Sequence, residues 1–272
     1  MITSVSNPAV RDVSLWQTKR EARRKSGFFV VEGLRLVREA PPEDVVRAYA
    51  TEDFAASAEG KALCEKLRAE LVSGSVMARM SDTKTPQGIL AVVRQRKWSL
   101  EDLLGSFPEP AAAGPSDRAP GLLLVLEHVQ DPGNVGTLFR TAEAAGAAGI
   151  LMDEETADPW QPKVVRGTMG AIFRLPFAVV SDLPTALSEL RTRGVALYAA
   201  HLEGSCEYDR VSYPPRAAFL LGNEGNGLSG RVTALADARV RIPMLGQTES
   251  LNVSTAGAVL LYEHLRQRRS GA

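Results

Sequence analysis

The sequence has little of what marks a secreted, membrane-spanning or zinc-binding protein. Its two cysteines, Cys64 and Cys206, lie 142 residues apart, and neither has a CxxC pattern or a Cys/His cluster beside it. Isolated cysteines are typical of a reducing compartment without a zinc site. The aliphatic run at Leu122–Leu126 is far short of the ~20 residues that cross a membrane, and the opening MITSVSNPAV lacks the regions of a signal peptide. We therefore expect a cytoplasmic α/β protein that uses neither metal nor membrane.

An excess of charge of one sign is also missing from the chain as a whole. Lys and Arg number 32 and Asp and Glu number 32, so the formal net charge is +0. Hydrophobic residues make up 44% and charged residues 24% of the 272 residues, which is ordinary globular composition. These values exclude a wholly disordered chain, a collagen-like repeat and a highly charged protein that coats nucleic acid.

Positive charge is nevertheless concentrated in the first third of the chain. Residues 1–100 carry 17 basic and 12 acidic side chains, and residues 18–25 alone carry five basic and one acidic. A polyanion would gain affinity there by releasing its counterions. A solvated helix face would carry the same charges, so the stretch by itself leaves both interpretations open. The candidate nucleic-acid contacts are Lys19, Arg20, Arg23, Arg24 and Lys25.

One stretch of small residues and proline divides the chain. In residues 105–120, GSFPEPAAAGPSDRAP, twelve of sixteen residues are Pro, Gly, Ala or Ser, which is typical of a linker. The sequence therefore predicts a domain at 1–100, a linker at 101–120 and a second domain at 121–272. The first domain reads as a small α/β sandwich, with helices at 12–25, 34–39 and 61–70 and strands at 27–32, 45–50 and 89–93.

The second domain alternates strands and helices more regularly. Strands separated by helices imply a parallel sheet covered on both faces, and ligands of such sheets bind beyond the carboxyl ends of the strands. The loops at those ends are therefore the first places to look for a site. Strands are predicted at 122–126, 149–152, 175–180, 195–200, 217–221 and 238–243, and helices at 135–145, 183–193 and 251–268.

The first such loop, EHVQDPGNVGTLFR, spans residues 127–140. Its DPGN turn opens a helix, and Asn134 is a plausible N-cap. Arg140 follows about 240° further around the helix. The two side chains therefore share a site only if Asn134 projects from the loop. A capping asparagine and a surface arginine remain the alternative.

Two further loops contain polar residues and glycine. In GNEGNGL, residues 222–228, three glycines surround Glu224 and would allow a ligand to approach the backbone. The pattern matches neither the GxGxxG fingerprint nor a Walker A loop. In IPMLGQTESLNVS, residues 242–254, Ser250 is a natural N-cap for the last helix. That helix is apolar on most faces, which predicts burial within the chain or against a partner.

Other chemistries find no support in the sequence. The histidines at positions 128, 201 and 264 are scattered and show no metal-ligand spacing. A GxSxG nucleophile elbow is absent, and neither cysteine has an activating partner nearby in sequence.

Taken together, the three loops resemble the SpoU (TrmH-type) family of RNA 2′-O-ribose methyltransferases, within the SPOUT superfamily. The stretches that carry the resemblance are DPGNVGTLFRTAEAAGA, FLLGNEGNGLS and RIPMLGQTESLNVSTAGAVLLYE, in family order. Residues 1–98, through SNPAVRDVSLW and GFFVVEGLRLV, are similar to the N-terminal substrate-binding domain of the ribosomal-RNA branch, which is itself ribosomal-protein-like. The resemblance implies a parallel sheet with a deep C-terminal trefoil knot.

The resemblance also implies a cofactor, S-adenosylmethionine, and the residues that hold it. The corresponding positions here are Leu221, Gly222, Ile242, Met244 and Leu251. For catalysis it points to Asn134, Arg140, Glu224, Ser250 and Asn252, with Arg140 assigned to activating the ribose hydroxyl. A guanidinium is a poor base, so we favour hydrogen-bond donation by Arg140 over its deprotonation. No metal is needed for this methyl transfer.

Ribosomal RNA is the implied partner, and Arg166 and Lys163 are further candidates for contact with its phosphates. Surface charge would explain both residues equally well. The family's homodimer buries the last helix against the partner, which the apolar character of residues 251–265 also fits. Transfer RNA as substrate, a non-catalytic RNA-binding assembly factor, and a nucleotide-binding oxidoreductase are the alternatives.

Overall fold

A computed structural model of the chain describes residues 1–105, 107, 121–202 and 206–270. The predicted linker at 101–120 coincides with a helix over its first residues, and positions 106 and 108–120 lie outside the described residues. The described chain forms two compact units, Met1–Arg96 with Asp158–Phe173, and Lys97–Ala157 with Arg174–Ala272. The sequence placed 158–173 in the second domain, whereas the contacts group it with the first unit.

The first unit contains a mixed four-stranded sheet in the order β1-β4-β2-β3. Strand β4 runs antiparallel to both β1 and β2, while β3 runs parallel to β2. Its strands are β1 (Phe28–Glu32), β2 (Val45–Thr51), β3 (Glu70–Val72) and β4 (Ile89–Arg94). Its helices are α1 (Pro8–Thr18), α2 (Arg20–Ser26), α3 (Leu34–Glu39), α4 (Glu52–Ala56), α5 (Ala58–Leu67), α6 (Gly74–Met80) and α9 (Pro162–Gly167).

Two helix predictions in this unit need correction. The single helix predicted at 12–25 is two helices, because Lys19 adopts an extended backbone between them. The helix predicted at 61–70 ends at Leu67, since Arg68 takes a left-handed conformation with φ 51°. The chain then enters strand β3. The sequence did not predict this strand, because its three residues, ELV, are too few to show an alternating pattern.

Segment Asp158–Phe173 packs against the rest of the first unit through an ion pair and aromatic contacts. The Arg23 guanidinium lies 2.6 Å from the Asp158 carboxylate, and both side chains are buried. Phe29 contacts the rings of Trp160 and Phe173, at centroid distances of 4.5 and 6.3 Å. A buried ion pair together with packed aromatic rings explains why this segment groups with residues so distant in sequence.

The second unit is built on a seven-stranded, fully parallel sheet in the order β7-β6-β5-β10-β8-β11-β9. The predicted parallel sheet is therefore confirmed. Its strands are β5 (Leu122–Leu126), β6 (Gly149–Asp153), β7 (Phe177–Val180), β8 (Ala196–Ala200), β9 (Cys206–Glu207), β10 (Ala217–Leu221) and β11 (Ala238–Arg241). Its helices are α7 (Leu100–Gly105), α8 (Pro132–Ala144), α10 (Leu183–Thr192), α11 (Gly230–Thr233) and α12 (Val253–Ser270).

Helices cover both faces of this sheet. On one face, Leu123 and Val125 of β5 share a buried cluster with Leu187 of α10. Against the other, helix α12 packs so closely that a Cβ added at Gly257 would lie 2.5 Å from Leu138 of α8 and 2.9 Å from Leu221 of β10. Every residue of β5 and β10 is buried, as expected for central parallel strands. No helix in the described part of the chain is long and apolar enough to cross a membrane.

Candidate active site

The loop after β5 ends in a capped helix whose cap differs from the predicted one. Asp131, not Asn134, is the N-cap of α8: its carboxylate accepts the Asn134 N–H at 2.9 Å, and Pro132 occupies the first helical position. An aspartate followed by proline suits the helix start better than an asparagine further on, since the ring removes an N–H that has no partner there. Asn134 therefore sits within the first turn, and its side chain is released from capping.

The loop after β10 forms a tight hairpin. Asn223 and Gly227 pair through two backbone hydrogen bonds of 3.0 and 2.9 Å. A Cβ added at Gly222 would lie 2.2 Å from the backbone of Gly227, so glycine is required at this position. The Asn223 side-chain oxygen accepts the N–H groups of Gly225 and Asn226 at 2.9 and 3.1 Å. The hairpin is thus rigid where Glu224 projects from it.

Three of the five predicted catalytic residues form one chain of side-chain hydrogen bonds. Asn134 Nδ2 donates to Glu224 Oε1 at 2.9 Å, and Asn252 Nδ2 donates to Asn134 Oδ1 at 3.0 Å. The N–H groups of Gln130 and Asp131 each donate to the Glu224 carboxylate at 3.3 Å. Side chains from all three predicted loops therefore meet at the carboxyl edge of the sheet.

The Glu224 carboxylate is held in its charged form. Partial burial raises the pKa of Glu224, but the hydrogen bonds from Asn134, Asp131 and Gln130 outweigh it, so the pKa lies below its ordinary value. Donors that point at a carboxylate favour its ionised state. Glu224 is consequently an acceptor that fixes the orientation of Asn134, rather than a proton donor at neutral pH.

Asn252, not Ser250, caps the last helix. Helix α12 begins at Val253, and Asn252 Oδ1 accepts the Ser254 N–H at 2.9 Å and the Ser254 hydroxyl at 2.6 Å. The prediction for Ser250 as N-cap is wrong because the helix begins only at Val253, one residue after Asn252. Asn252 therefore serves two purposes: its oxygen caps α12 and its amide binds Asn134.

A cavity of about 520 Å³ opens beside this hydrogen-bonded chain. Its walls come from the ends of β8, β10 and β11, the 222–228 hairpin and the start of α12. All five residues predicted to hold the cofactor line it: Leu221, Gly222, Ile242, Met244 and Leu251. Glu224, Ser250 and Asn252 line it as well.

Arg140 lies apart from the other predicted catalytic residues. It is exposed on α8, six residues beyond Asn134, and does not line the cavity. Among the described residues its side chain makes no hydrogen bond or ion pair. Its guanidinium is therefore available to a ligand, and its catalytic role stays a prediction.

Several site residues escaped the sequence-based selection. Asn223 and Glu127 stabilise the loops from within: Asn223 Nδ2 donates to the His128 carbonyl at 2.9 Å, and buried Glu127 accepts the Ser229 N–H at 2.7 Å. His201 and Leu202 line the cavity from the end of β8. The sequence marks these residues only by their place after the end of a strand. Many other residues have that place, so it could not select them.

The predicted nucleic-acid contacts divide into exposed and buried residues. Lys19, Arg20, Arg24 and Lys25 are exposed. Arg23 is only 4% exposed and is committed to Asp158 and to the carbonyl oxygens of Trp16 and Gln17, so its prediction as an RNA contact is wrong.

The candidates on segment 158–173 already have partners in the first unit or nearby. Arg166 pairs with Asp82 at 2.8 Å and remains about one third exposed. Lys163 also has an interaction partner. Their role as RNA contacts stays a prediction. The described residues contain no group of three or more His, Cys, Asp or Glu side chains that could hold a metal ion.

Comparison with known proteins gives a consistent result. Residues 121–262 match the family model of the SpoU rRNA Methylase family, and residues 7–91 match that of the MRM3-like substrate binding domain. The chain is 32% identical over 266 residues to the 23S rRNA (guanosine(2553)-2'-O)-methyltransferase RlmP of Bacillus subtilis, covering 97% of this chain and 98% of that protein.

Two solved structures are similar over nearly the whole chain. The SpoU methyltransferase AviRb from Streptomyces viridochromogenes superposes with a TM-score of 0.82 at 27% identity, covering 97% of this chain and 99% of that one. An AdoMet-bound rRNA methyltransferase from Sinorhizobium meliloti gives a TM-score of 0.82 at 29% identity, covering 98% and 97%.

Proposed function

This chain belongs to the SpoU rRNA methylase family, and from that premise we propose that it transfers a methyl group from S-adenosylmethionine to a ribose 2′-hydroxyl of ribosomal RNA. The family match confirms the resemblance seen in the three loop motifs. The observation that carries the proposal is the hydrogen-bonded chain Glu224–Asn134–Asn252 at the edge of the cavity. Relatives named as 23S rRNA 2′-O-methyltransferases support ribosomal RNA as the substrate class.

The cavity residues fit S-adenosylmethionine. Gly222 lines the cavity and lets the backbone of Gly227 pack directly against it, and strand ends present N–H and C=O groups to a purine edge. Ile242, Met244 and Leu251 supply apolar surface on which an adenine ring could be held. When bound, the cofactor supplies an electrophilic methyl group on its sulfonium sulfur.

Within this proposal the protein's residues orient the ribose and activate its hydroxyl. Asn134 has both ends of its amide fixed, by Glu224 and by Asn252, so its position is set before substrate arrives. Arg140, exposed and free of partners among the described residues, donates hydrogen bonds to the 2′-oxygen and the adjacent phosphate, which favours loss of the hydroxyl proton. Ser250 adds a hydroxyl to the cavity wall. Such alignment is what a displacement at a methyl carbon requires.

RNA affinity in this proposal comes from the first unit. Its exposed basic residues Lys19, Arg20, Arg24 and Lys25 lie on or beside helix α2, and the match of residues 7–91 to a substrate-binding domain supports the same assignment. The division into a domain at 1–100 and one at 121–272 stays a prediction. So does the cytoplasm as the compartment.

We also propose the trefoil knot and the homodimer of the family. For the knot, the support is the strand order, in which β10 lies between β5 and β8, and the packing of α12 beside α8. For the dimer, the support is Tyr262, which is 49% exposed on α12, together with exposed Leu245 in the 242–252 loop. Light scattering at micromolar concentration would test the dimer: a mass near that of one chain would refute it.

The decisive test of function is methyl transfer from tritiated S-adenosylmethionine. Purified protein is incubated separately with ribosomal RNA, large ribosomal subunits and transfer RNA, and the labelled nucleotide is mapped. We expect label on one ribose 2′-oxygen of large-subunit RNA. Label in transfer RNA alone would change the substrate, and binding of cofactor without any transfer would favour a non-catalytic RNA-binding factor.

Arg140→Ala is the matched variant for this assay. It should abolish transfer while calorimetry shows wild-type affinity for S-adenosylmethionine, because Arg140 does not line the cavity. Lost cofactor affinity would mean that the role of Arg140 has been misplaced.

A further inference from the structure

A buried carboxylate, Asp153, supports the first site loop from beneath. It ends strand β6 and is 7% exposed. Its Oδ2 accepts the His128 N–H at 3.0 Å, and its Oδ1 accepts the N–H and the hydroxyl of Thr156, both at 2.8 Å. The proposed methyl transfer makes no direct use of this residue, yet its Oδ2 and the Thr156 hydroxyl bonded to it both accept N–H groups of the loop 127–131.

His128 adopts a backbone conformation that side chains rarely tolerate. Its φ is 54°, in the left-handed region that favours glycine. The His128 ring returns to the same carboxylate, with Nε2 3.3 Å from Asp153 Oδ2 and 3.7 Å from Glu155. Thr156 Oγ1 accepts the Val129 N–H at 3.3 Å on the following residue. The turn is thus held at two successive N–H groups by partners at the end of β6.

The direction of this turn determines where the hydrogen-bonding groups of the site point. The carbonyl of His128 accepts from Asn223, the residue that organises the 222–227 hairpin. The N–H groups two and three residues later, of Gln130 and Asp131, donate to Glu224. An unfavourable conformation that persists beside a site indicates that its surroundings enforce it. Here the enforcing group is Asp153.

We infer that Asp153 is a positioning residue for methyl transfer: by holding His128 in its left-handed conformation, it aligns the first two site loops so that Glu224 and Asn134 meet. The inference rests on the proposed function, because it concerns the same reaction. Asp153 acts through the backbone of residues 128–131 and does not touch the cavity, so its contribution belongs to the transfer step and not to cofactor binding.

The test is a double-mutant series that uses glycine's freedom in the left-handed region. Asp153→Ala removes the carboxylate, and we expect kcat to fall by about ten- to a hundredfold, as displaced catalytic groups do. The affinity for S-adenosylmethionine should stay at the wild-type value. His128→Gly alone is the reference for the rescue, since it changes the turn residue and keeps the carboxylate. In the Asp153→Ala background, His128→Gly should restore most of the lost kcat.

Two further variants make the series specific. Asp153→Asn keeps an oxygen for Thr156 but faces the His128 N–H with an amide, so it should reproduce the loss and the glycine rescue with less effect on folding. Asp237→Ala removes another carboxylate that accepts a backbone N–H, since Asp237 accepts the N–H of Leu197 at 2.8 Å. This contact lies at the amino-terminal ends of the strands, away from the site. Asp237→Ala should therefore leave kcat unchanged. Rates are normalised to the folded fraction measured by circular dichroism.

Each outcome has one meaning. No methyl transfer by the wild-type protein refutes the proposed function and leaves no rate to compare. An active wild type whose Asp153→Asn variant has unchanged kcat, or loses cofactor affinity in parallel with kcat, overturns the positioning role. Loss without rescue by His128→Gly overturns it equally, because it would show that the carboxylate acts other than through the turn.

Discussion

Asn134 donates its side-chain amide to the Glu224 carboxylate at 2.9 Å although 90 residues separate them in the chain. The same amide accepts from Asn252, a further 28 residues on, so its two ends are fixed by two different loops. An asparagine bonded at both ends has one orientation rather than two. The site is therefore preorganised at the point where three strand ends meet.

Replacing Glu224 by glutamine should slow methyl transfer without unfolding the protein. The new amide would place N–H groups against the donors of Asn134 or Gln130, and an unmatched polar contact costs about 1–3 kcal/mol. We expect kcat to fall by roughly ten- to a hundredfold. Single-turnover kinetics measure this directly, and a Glu224→Gln enzyme of wild-type rate would contradict the role given to the carboxylate.

The acid sensitivity of the site follows from the lowered pKa of Glu224. Because the folded-state pKa is depressed, the stabilising contribution is complete above the carboxyl's ordinary pKa and is lost only as the pH falls through the lowered one. The charge of Glu224 should therefore cause no change in kcat between about pH 8 and pH 6. A pH–rate profile with an acidic limb in that window that disappears in Glu224→Gln would refute this assignment.

Gly222→Ala should abolish cofactor binding. The added methyl would lie 2.2 Å from the backbone of Gly227, so the hairpin that walls the cavity would have to open. Gly230→Ala is the matched control, because its added methyl meets nothing within 4 Å and Gly230 does not line the cavity. Calorimetric titration with S-adenosylmethionine should show binding for Gly230→Ala and none for Gly222→Ala.

Arg23→Ala should destabilise the first unit strongly. Removal of one partner leaves the buried Asp158 carboxylate unpaired, which costs about 3–5 kcal/mol. Arg24→Ala removes an exposed neighbour of the same helix and should change the free energy of unfolding by less than about 0.5 kcal/mol. Urea denaturation compares the two variants. Equal losses would mean that the Arg23–Asp158 pair has no special energetic weight.

Exposed charge beside α2 should govern the salt dependence of RNA binding. Arg24→Gln with Lys25→Gln should weaken binding and reduce the slope of log K against log salt, by about 0.7 per lost phosphate contact with single-stranded RNA. Lys61→Gln with Lys66→Gln changes the net charge equally on helix α5 and should leave the slope unchanged. If both pairs behave alike, residues 18–25 are an ordinary solvated surface.

Buried His264 should make the second unit less stable in mild acid. Burial lowers the pKa of His264 below its ordinary value, and nearby Arg268 lowers it further, against the hydrogen bond with the Pro214 carbonyl. In mild acid the imidazole of His264 is therefore protonated in the unfolded chain but neutral in the folded protein. Stability is therefore complete above the unfolded pKa near 6.5 and decreases as the pH falls from there toward the folded value.

The variant His264→Gln isolates this effect, since glutamine can donate to Pro214 but does not titrate. The packed neighbours Tyr213 and Phe219 carry no charge in this range. Urea unfolding at about pH 7.5 and about pH 5.5 should show a larger loss for the wild type than for the variant. Parallel losses would assign the acid sensitivity to other groups.

The sequence alone determined the central strands, the loops that carry the site and the residues around the cavity. Strands β5 and β10 have the predicted bounds because unbroken aliphatic runs of that length are stable only when buried on both faces. Leu221, Gly222, Ile242, Met244 and Leu251 were predicted together because the resemblance of the three motifs to the family implied that these positions hold the cofactor, and all five line the cavity. The family itself was evident from the order of three short motifs.

Only the tertiary structure decided which side chains are partners. Arg23 looked like the exposed arginines beside it, and its burial depends on Asp158, 135 residues away. The transfer of segment 158–173 to the first unit, the capping by Asp131 and Asn252, and the support of His128 by Asp153 depend equally on groups that folding brings together. Strands and turns are set largely by residues close together in sequence, through hydrophobic patterns and turn propensities. A buried ion pair or hydrogen bond between distant residues stabilises the protein only once folding has brought the two groups together and buried them.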